Sequence, residues 1–227
     1  NKLCLFDICE KYNIYRAGGV EGSHTIIDYL AEQAVPHRVY SYHEFTDNQT
    51  FSKLRQDLQD NQCKVYFAYL PELDAHLHKY ANNPESVAQK IDWYEDQINQ
   101  TINTAKTLGV NVRLFVFSDH GMAPISNHYD LIGELRRNGI DLEKDCLAVF
   151  DSTIARFWFK DPMILNKLRD ILNNIPVGNL LSDETLGNLR VLFPDERYGQ
   201  LIFLMPAGTL IFPNLFGNHS PGGMHGF

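Results

Sequence analysis

Apolar and polar positions along the chain follow two alternating patterns, short continuous apolar runs and longer segments with helical periodicity. The clearest apolar run covers residues 64–70 and stops at Pro71, which predicts a strand. Residues 84–108 follow with a helical pattern that has a proline in its first turn and Gly109 at its end. A second apolar run predicts a strand at 112–118. The same patterns predict helices at 26–33, 51–59, 129–138 and 162–174, and strands at 154–159 and 200–205.

Continuously apolar strands that alternate with helices are typical of a parallel sheet covered by helices on both faces. The chain is therefore predicted to be α/β, with a mostly parallel central sheet. Residues 176–197 mix turn residues with short apolar groups, which predicts a small excursion or cap. No repeat or long linker interrupts the pattern, so residues 1–227 are predicted to form a single domain. Because the chain opens on Asn1 and closes on a glycine-rich loop, we expect this domain to be incomplete.

The composition argues against several classes of partner and indicates a compartment. The formal net charge of -8 would repel a phosphate backbone, so we expect no nucleic-acid partner. The apolar runs are far shorter than the roughly 20 residues of a membrane-spanning helix, so we expect no membrane partner. Cys4, Cys9, Cys63 and Cys146 form no C-x-x-C pattern and are too sparse for a disulfide scaffold. This cysteine usage favours a reducing, cytoplasmic compartment.

Metal-ligating residue types follow the first of the two clearest strands, where ligands of open α/β sheets collect. Asp74 and His78 lie four residues apart, so on a helix their side chains project from one face and can share a cation. Glu72 and His76 have the same spacing. The spacing alone therefore leaves both pairs open.

Similar residue types follow the second strand and occur near the end of the chain. Asp119 and His120 are adjacent, and at a bend such as Gly121 permits they can converge on one ion. His225 lies in the glycine-rich segment 221–226. Each residue alone is commonly an ion pair, a helix cap or a loop residue, but together they supply carboxylates and imidazoles at adjacent places in the fold. Such mixed oxygen and nitrogen ligands suit zinc best, with manganese or iron as alternatives.

Three motifs in a fixed order give the chain a family resemblance. They are Asp74-x-x-x-His78-Lys79-Tyr80, Ser118-Asp119-His120-Gly121-Met122 and Gly223-Met224-His225-Gly226-Phe227. In this combination the chain, over roughly residues 60–227, resembles the type I phosphodiesterase and nucleotide pyrophosphatase family of the alkaline phosphatase superfamily.

This resemblance implies an alkaline-phosphatase-like fold with two divalent metal ions, usually zinc. By the family's motifs, Asp74, His78 and His225 would hold one ion, while Asp119 and His120 would supply part of the shell of the other. The resemblance also favours His78 over His76. It implies a small phosphorylated substrate such as a nucleotide, and hydrolysis of a phosphodiester or pyrophosphate bond through a covalent intermediate. The alternatives are a phosphomonoester, phosphonate or sulfate-ester hydrolase of the same superfamily, or a non-catalytic metal-binding module.

The chain departs from the family pattern at the nucleophile. The family places an aspartate and a threonine or serine nucleophile well before the D-x-x-x-H motif. Asp7, paired with Ser23 or Thr25, approximates this arrangement but lacks the glycine-rich loop, and the run 151–153 comes after the motif. We therefore expect the nucleophile to lie in an earlier part of a longer protein. We also expect these residues alone to complete one metal site and to hydrolyse phosphodiesters poorly.

Overall fold

The computed structural model describes residues 13–109, 111–217 and 219–227, and these group into two compact units. Of the described residues, unit 1 contains 13–76 and 84–117, and unit 2 contains 77–83 and 118–227. Helix α3 is continuous across the division at residue 76. Asp7 and the cysteines at positions 4 and 9, which entered the sequence predictions, lie outside the described residues.

Unit 1 is built from helices around one short parallel strand pair. Its elements are α1 (Ile26–Glu32), β1 (His37–Tyr40), α2 (Asp47–Asp60), β2 (Val65–Ala68), the first part of α3 (Glu72–Tyr80) and α4 (Pro84–Thr107). Strands β1 and β2 run parallel, with His37 opposite Val65 and Tyr40 opposite Ala68. The predicted strand at 64–70 and the helices predicted at 26–33, 51–59 and 84–108 are therefore present.

Helix α2 begins earlier than its apolar residues predict because of a polar signal. The Thr46 side chain accepts a hydrogen bond from the Gln49 amide, and the Gln49 side chain accepts one from the Thr46 amide, which forms a capping box. One helical turn later, Phe51 contacts the rings of Trp93 and Tyr94 on α4, with ring centroids 5.9 and 6.2 Å away. These aromatic contacts pack α2 against α4 in the core of unit 1.

The predicted strand at 112–118 is wrong. Within the described residues, 111–118 form no β-ladder, and the side chains of Phe115 and Phe117 are both 79% exposed. An apolar run favours burial, but a strand also requires a neighbouring backbone that pairs with it. The described residues provide no such neighbour for this run.

Unit 2 contains the largest sheet and the main apolar core. Its elements after α3 are β3 (Ala123–Pro124), β4 (Asn127–Tyr129), α5 (Leu131–Arg137), β5 (Leu147–Phe150), β6 (Ile154–Trp158), α6 (Pro162–Asn173), β7 (Asn179–Leu180), α7 (Asp183–Asn188), β8 (Leu201–Leu204), β9 (Thr209–Ile211) and β10 (Gly223–Met224). Leu135 of α5 and Leu168 of α6 are fully buried beside Phe157 and Phe203 of the sheet. The core therefore lies between these helices and one face of the sheet.

The α/β class is confirmed, but the strand directions differ from the prediction of one mostly parallel sheet. Within the described residues the strands form four sheets, and only the pairs β1–β2 and β4–β9 are parallel. The four-stranded sheet, in the order β5-β6-β8-β7, is antiparallel. Residues 151–153 alone connect β5 to β6, and a parallel connection needs about a dozen residues or more. The apolar content of a strand does not indicate whether it pairs with its neighbour in the parallel or the antiparallel direction.

Residues 176–197, predicted as an excursion or cap, contain β7 and α7. Strand β7 pairs with β8 at the edge of the four-stranded sheet, with Asn179 opposite Leu204. Helix α7 is capped by Ser182, whose side chain accepts a hydrogen bond from the Thr185 amide. None of the described helices has the length and apolar character needed to cross a bilayer.

Candidate metal centre

Helix α3 carries the D-x-x-x-H motif directly after β2. Asp74 and His78 lie one helical turn apart, so both side chains project from the same face, as the spacing predicts. Both residues are half-buried. The Asp74 carboxylate and the His78 imidazole can therefore reach one cation while both residues remain partly exposed to solvent.

The orientation of His78 is fixed by the segment that contains His225. The His78 Nδ1 atom lies 2.9 Å from the carbonyl oxygen of Gly223, and a carbonyl oxygen can only accept, so Nδ1 is the donor. The proton on Nδ1 places the lone pair of the neutral ring on Nε2, the arrangement found in metal-bound histidines. The Gly222 amide in turn donates to the His78 carbonyl oxygen at 2.7 Å.

Glycine at position 223 is required by close packing against the end of α3. A Cβ atom there would lie 2.6 Å from the Cβ of Ala81 and 2.7 Å from the carbonyl oxygen of Leu77. Gly223 also pairs with Pro124 in the antiparallel ladder of β10 and β3. The backbone is therefore held near the helix, and His225 follows two residues later with its ring centroid 5.2 Å from that of His78.

The structure brings three of the five predicted ligands together. One ligand atom from each of Asp74, His78 and His225 lies within 4.8 Å of the other two, and all three residues are half-buried. One oxygen and two nitrogens match the donor set of catalytic zinc sites, which use three protein ligands and keep a position open. The residues present thus fit a divalent ion of the zinc type.

The other two predicted ligands lie beside this group without forming a second one. The His120 ring stacks on the His225 ring, with centroids 3.7 Å apart and planes 17° from parallel. The Asp119 side chain is 68% exposed and accepts a hydrogen bond from the His120 amide at 3.1 Å. Among the described residues, Asp119 and His120 belong to no group of three possible metal ligands. Their metal-binding role stays a prediction.

The competing pair with the same spacing has other contacts. Glu72 is bonded to the Asp47 amide and to the Lys90 ammonium group, with distances of 3.1 and 3.2 Å. His76 Nε2 lies 3.1 Å from both the carbonyl and hydroxyl oxygens of Ser86. Glu72 and His76 therefore connect helices of unit 1. This second pair with four-residue spacing, which the sequence left open as a metal site, makes structural contacts instead.

The hydroxyl groups considered as nucleophile substitutes also have structural contacts. The Thr25 hydroxyl caps α1 and accepts a hydrogen bond from the Asp28 amide. The Thr153 hydroxyl donates to the carbonyl oxygen of Gly226 at 2.8 Å. The Thr25 hydroxyl also donates to the Asp28 carboxylate within the cap of its own helix, and the Thr153 hydroxyl donates to a carbonyl oxygen, which is not a base, so both hydroxyls have structural partners.

As a class, an α/β protein in which a carboxylate and two imidazoles converge in this way has the ligand set of a metal-binding protein. The sequence profile of the type I phosphodiesterase / nucleotide pyrophosphatase family matches residues 12–167. The chain belongs to that family, whose members are hydrolases that use divalent metal ions. The matched range contains Asp74, His78, Asp119 and His120 and ends before His225.

Solved structures of two kinds share the fold. Murine ectonucleotide pyrophosphatase/phosphodiesterase 5 matches with a TM-score of 0.72 and 16% identity, over 94% of this chain and 62% of that one. The human protein of the same name matches with a TM-score of 0.68 and 14% identity, over the same shares of both chains. Phosphonoacetate hydrolase from Sinorhizobium meliloti matches with a TM-score of 0.50 and 14% identity, over 77% of this chain and 48% of that one.

The chain spans about three fifths of the length of the murine and human structures. One murine structure is of an inactive threonine-to-alanine variant in complex with AMP, and the phosphonoacetate hydrolase structure contains phosphonoformate. A search of curated proteins finds no match. At these identities the structural likeness establishes the fold.

Proposed function

We propose that the protein to which these residues belong is a hydrolase of phosphodiester or pyrophosphate bonds in a small phosphorylated substrate such as a nucleotide. The observation that carries the proposal is the convergence of Asp74, His78 and His225 within 4.8 Å in a member of this family. The complex of a murine relative with AMP supports a nucleotide as the substrate class.

The chain's own residues contribute positioned ligands to this reaction. Asp74 supplies a carboxylate and the two histidines supply neutral nitrogens, with the His78 tautomer fixed by its hydrogen bond to Gly223. We propose two divalent ions, zinc in preference to manganese or iron, with Asp119 and His120 supplying part of the ligands of the second ion. When bound, such ions stabilise the developing charge on phosphoryl oxygens and lower the pKa of a nucleophile.

We propose that the nucleophile lies outside residues 1–227. In the murine relative, the inactive variant lacks a threonine, and the threonine hydroxyls at positions 25 and 153 here have structural partners. The present residues then complete one metal site and should hydrolyse phosphodiesters poorly on their own. A turnover by residues 1–227 that equals the turnover of the longest natural form would contradict this part of the proposal.

The test combines metal analysis with two substrates. The longest natural form, loaded with zinc, should hydrolyse bis(4-nitrophenyl) phosphate faster than 4-nitrophenyl phosphate. Replacement of His225 with alanine should abolish both metal binding at this site and hydrolysis. The matched control is His24→Ala, because His24 is exposed, is paired with Glu32 and belongs to no group of possible metal ligands among the described residues.

Two outcomes separate the alternatives. Faster hydrolysis of the monoester, or of a phosphonate or sulfate ester, would indicate another substrate class of the same superfamily. Phosphonoacetate hydrolase, which shares the fold, acts on a substrate of one such class. Stoichiometric zinc binding with no hydrolysis of any of these esters would indicate a non-catalytic module. The proposal predicts neither result.

We propose a reducing compartment for the protein. Among the described cysteines, Cys63 has a free thiol, and Cys146 is buried in the core of unit 2. Free thiols persist under reducing conditions. The measurement is thiol titration of the protein isolated from its natural source, where a disulfide at either position would contradict the assignment.

A further inference from the structure

We propose that Thr153 is a positioning residue that holds the metal ligand His225 in place through the backbone of Gly226. The inference rests on the proposed function, since it takes His225 as a ligand. Thr153 occurs in the connection between β5 and β6 and is 4% exposed. Its hydroxyl donates to the Gly226 carbonyl oxygen at 2.8 Å, and Gly226 directly follows His225.

Thr153 is itself rigidly placed by the sheet of unit 2. Its carbonyl oxygen accepts a hydrogen bond from the Met205 amide at 2.8 Å, and Met205 is 1% exposed beyond the end of β8. The neighbouring Ser152 carbonyl oxygen accepts from the Ile211 amide at the same distance. The hydroxyl therefore extends from a buried backbone whose carbonyl groups are hydrogen-bonded to the core, and it ties Gly226 to that core.

The segment around His225 is held on both sides. On its N-terminal side, Gly222 and Gly223 are bonded to the backbone and ring of His78. On its C-terminal side, the Thr153 hydroxyl donates a hydrogen bond to the Gly226 backbone, and Phe227 packs against the core. His78 and Thr153 thus fix the two ends of a five-residue segment, with His225 between them.

The segment needs this second attachment because its backbone is permissive. Gly226 has a φ of +84°, a conformation that glycine adopts readily, and three of the five residues from 222 to 226 are glycine. Without the Thr153 contact, the C-terminal side of this segment would keep the packing of Phe227 against the core but lose its hydrogen bond to the β5–β6 connection. If a ligand side chain becomes ordered only when the ion binds, the free-energy cost of ordering it lowers the affinity for that ion.

The test measures metal affinity in the intact protein, with zinc as the probe and a competing chelator. Thr153→Val keeps the shape of the side chain and removes the hydroxyl donor, so we expect zinc affinity to fall about 10-fold, as for other residues that orient metal ligands. Thr153→Ser retains the donor and should stay within about twofold of wild type. His225→Ala should abolish binding at the site.

The matched control is Thr209→Val. Thr209 is a buried threonine of the same unit, 8% exposed in β9, whose hydroxyl has no hydrogen bond to the 222–226 segment among the described residues. This variant should leave zinc affinity unchanged, and the melting temperature of both variants shows whether they remain folded. The absorption spectrum of the cobalt-loaded protein should change in Thr153→Val and not in the control.

The outcomes distinguish the two proposals. Unchanged zinc affinity in Thr153→Val, with binding lost in His225→Ala, would overturn the positioning role and leave the metal site intact. Unchanged affinity in His225→Ala would overturn both, because His225 would then not be a ligand. Equal loss in the Thr209 control would also overturn the positioning role. If Thr153→Val does not fold, Thr153→Cys, a weak donor, allows the same comparison with serine.

Discussion

Two acidic residues of helix α3, Glu72 and Asp74, lie two positions apart and belong to different kinds of polar cluster. Glu72 takes part in a network of unit 1 in which each carboxylate has donors from the protein. Asp74 belongs to a half-buried group with two imidazoles. The sequence presents the two acids alike, and their surroundings decide their uses.

The Glu72 network joins the starts of two helices. The Asp47 amide donates to the Glu72 carboxylate at 3.1 Å, and the Glu72 amide donates to the Asp47 carboxylate at 3.2 Å. The Tyr94 hydroxyl also donates to Asp47, which is 1% exposed, and Lys90 pairs with Glu72. Since each carboxylate is bonded to donors of the protein, this network has a structural role.

The difference shows what marks a ligand group in this fold. Carboxylates that are bonded to amides, a hydroxyl and an ammonium group, such as those of Asp47 and Glu72, stabilise the helices that carry them. Asp74 converges instead with His78 and His225, which offer nitrogen atoms and remain half-buried. Residue type and spacing are shared by both clusters, whereas the nature of the neighbours separates them.

The largest expected effect concerns the two acids themselves. Asp74→Asn should lower zinc affinity more than about 100-fold, because even residues that only orient ligands contribute about 10- to 100-fold. Glu72→Gln should leave zinc affinity within a few-fold and lower the melting temperature. Chelator competition and thermal unfolding measure the two properties. Zinc binding weakened as much by Glu72→Gln as by Asp74→Asn would contradict the different roles assigned to the two acids.

A second prediction removes the hydroxyl from the buried network. Tyr94→Phe deletes the donor to Asp47 and should lower the free energy of unfolding by about 1.5 to 3 kcal/mol, as for hydrogen bonds to charged groups. Urea unfolding provides the value. Tyr29→Phe is the control, because Tyr29 is 55% exposed, and it should change stability by less than about 0.5 kcal/mol. Equal effects of the two substitutions would contradict a structural role of the network.

A third prediction follows from the buried carboxyl of Asp47. Burial raises the pKa of Asp47 above its usual value of 3.8. The folded state then holds the proton more tightly than the unfolded state, so this group contributes stability that is complete below about pH 3.8 and is lost as the pH rises through the raised pKa. Relative to Asp47→Asn, the wild type should therefore lose stability as the pH increases from about 4 toward neutrality. A difference between the two proteins that stays constant with pH would contradict this assignment.

The smallest effect concerns the first helix. Hydrogen bonds from the Thr25 hydroxyl and from the Gly18 and Thr25 amides lower the pKa of Asp28 from 3.8 to about 2. The carboxylate stabilises the capping box of α1 above the higher value, and this contribution is lost as the pH falls from about 4 through about 2. The protection factors for amide exchange of residues 26–32, which correct for the intrinsic pH dependence of exchange, should fall in that range, and Asp28→Asn should remove this change. Exchange that is equally pH-dependent in both proteins would refute the assignment.

Much of unit 1 could be predicted because its signals are local. The apolar run that forms β2, the proline that begins α4 and the glycine that ends it are all visible along the chain. The run 112–118 carries an equally strong apolar signal, yet it forms no strand within the described residues. Whether a strand forms depends on its pairing partner, which a local pattern does not contain.

The candidate site could be predicted only in part, for a related reason. The predicted ligands Asp74, His78 and His225 have recognisable side chains and motifs. The Gly223 carbonyl that fixes the His78 tautomer is a backbone group without a sequence signal. Thr153 was considered as a nucleophile substitute, and its contact with Gly226 depends on two segments 73 residues apart. Such partners become visible only once the chain is folded.

The most direct test of the account is a crystal structure of the zinc-loaded intact protein with anomalous diffraction measured at the zinc edge. The account predicts a zinc ion bound by the Asp74 carboxylate and by a nitrogen of both His78 and His225, with Zn–N distances of about 2.0 to 2.1 Å. A zinc ion bound elsewhere, with the three side chains ordered and not coordinated to metal, would contradict it.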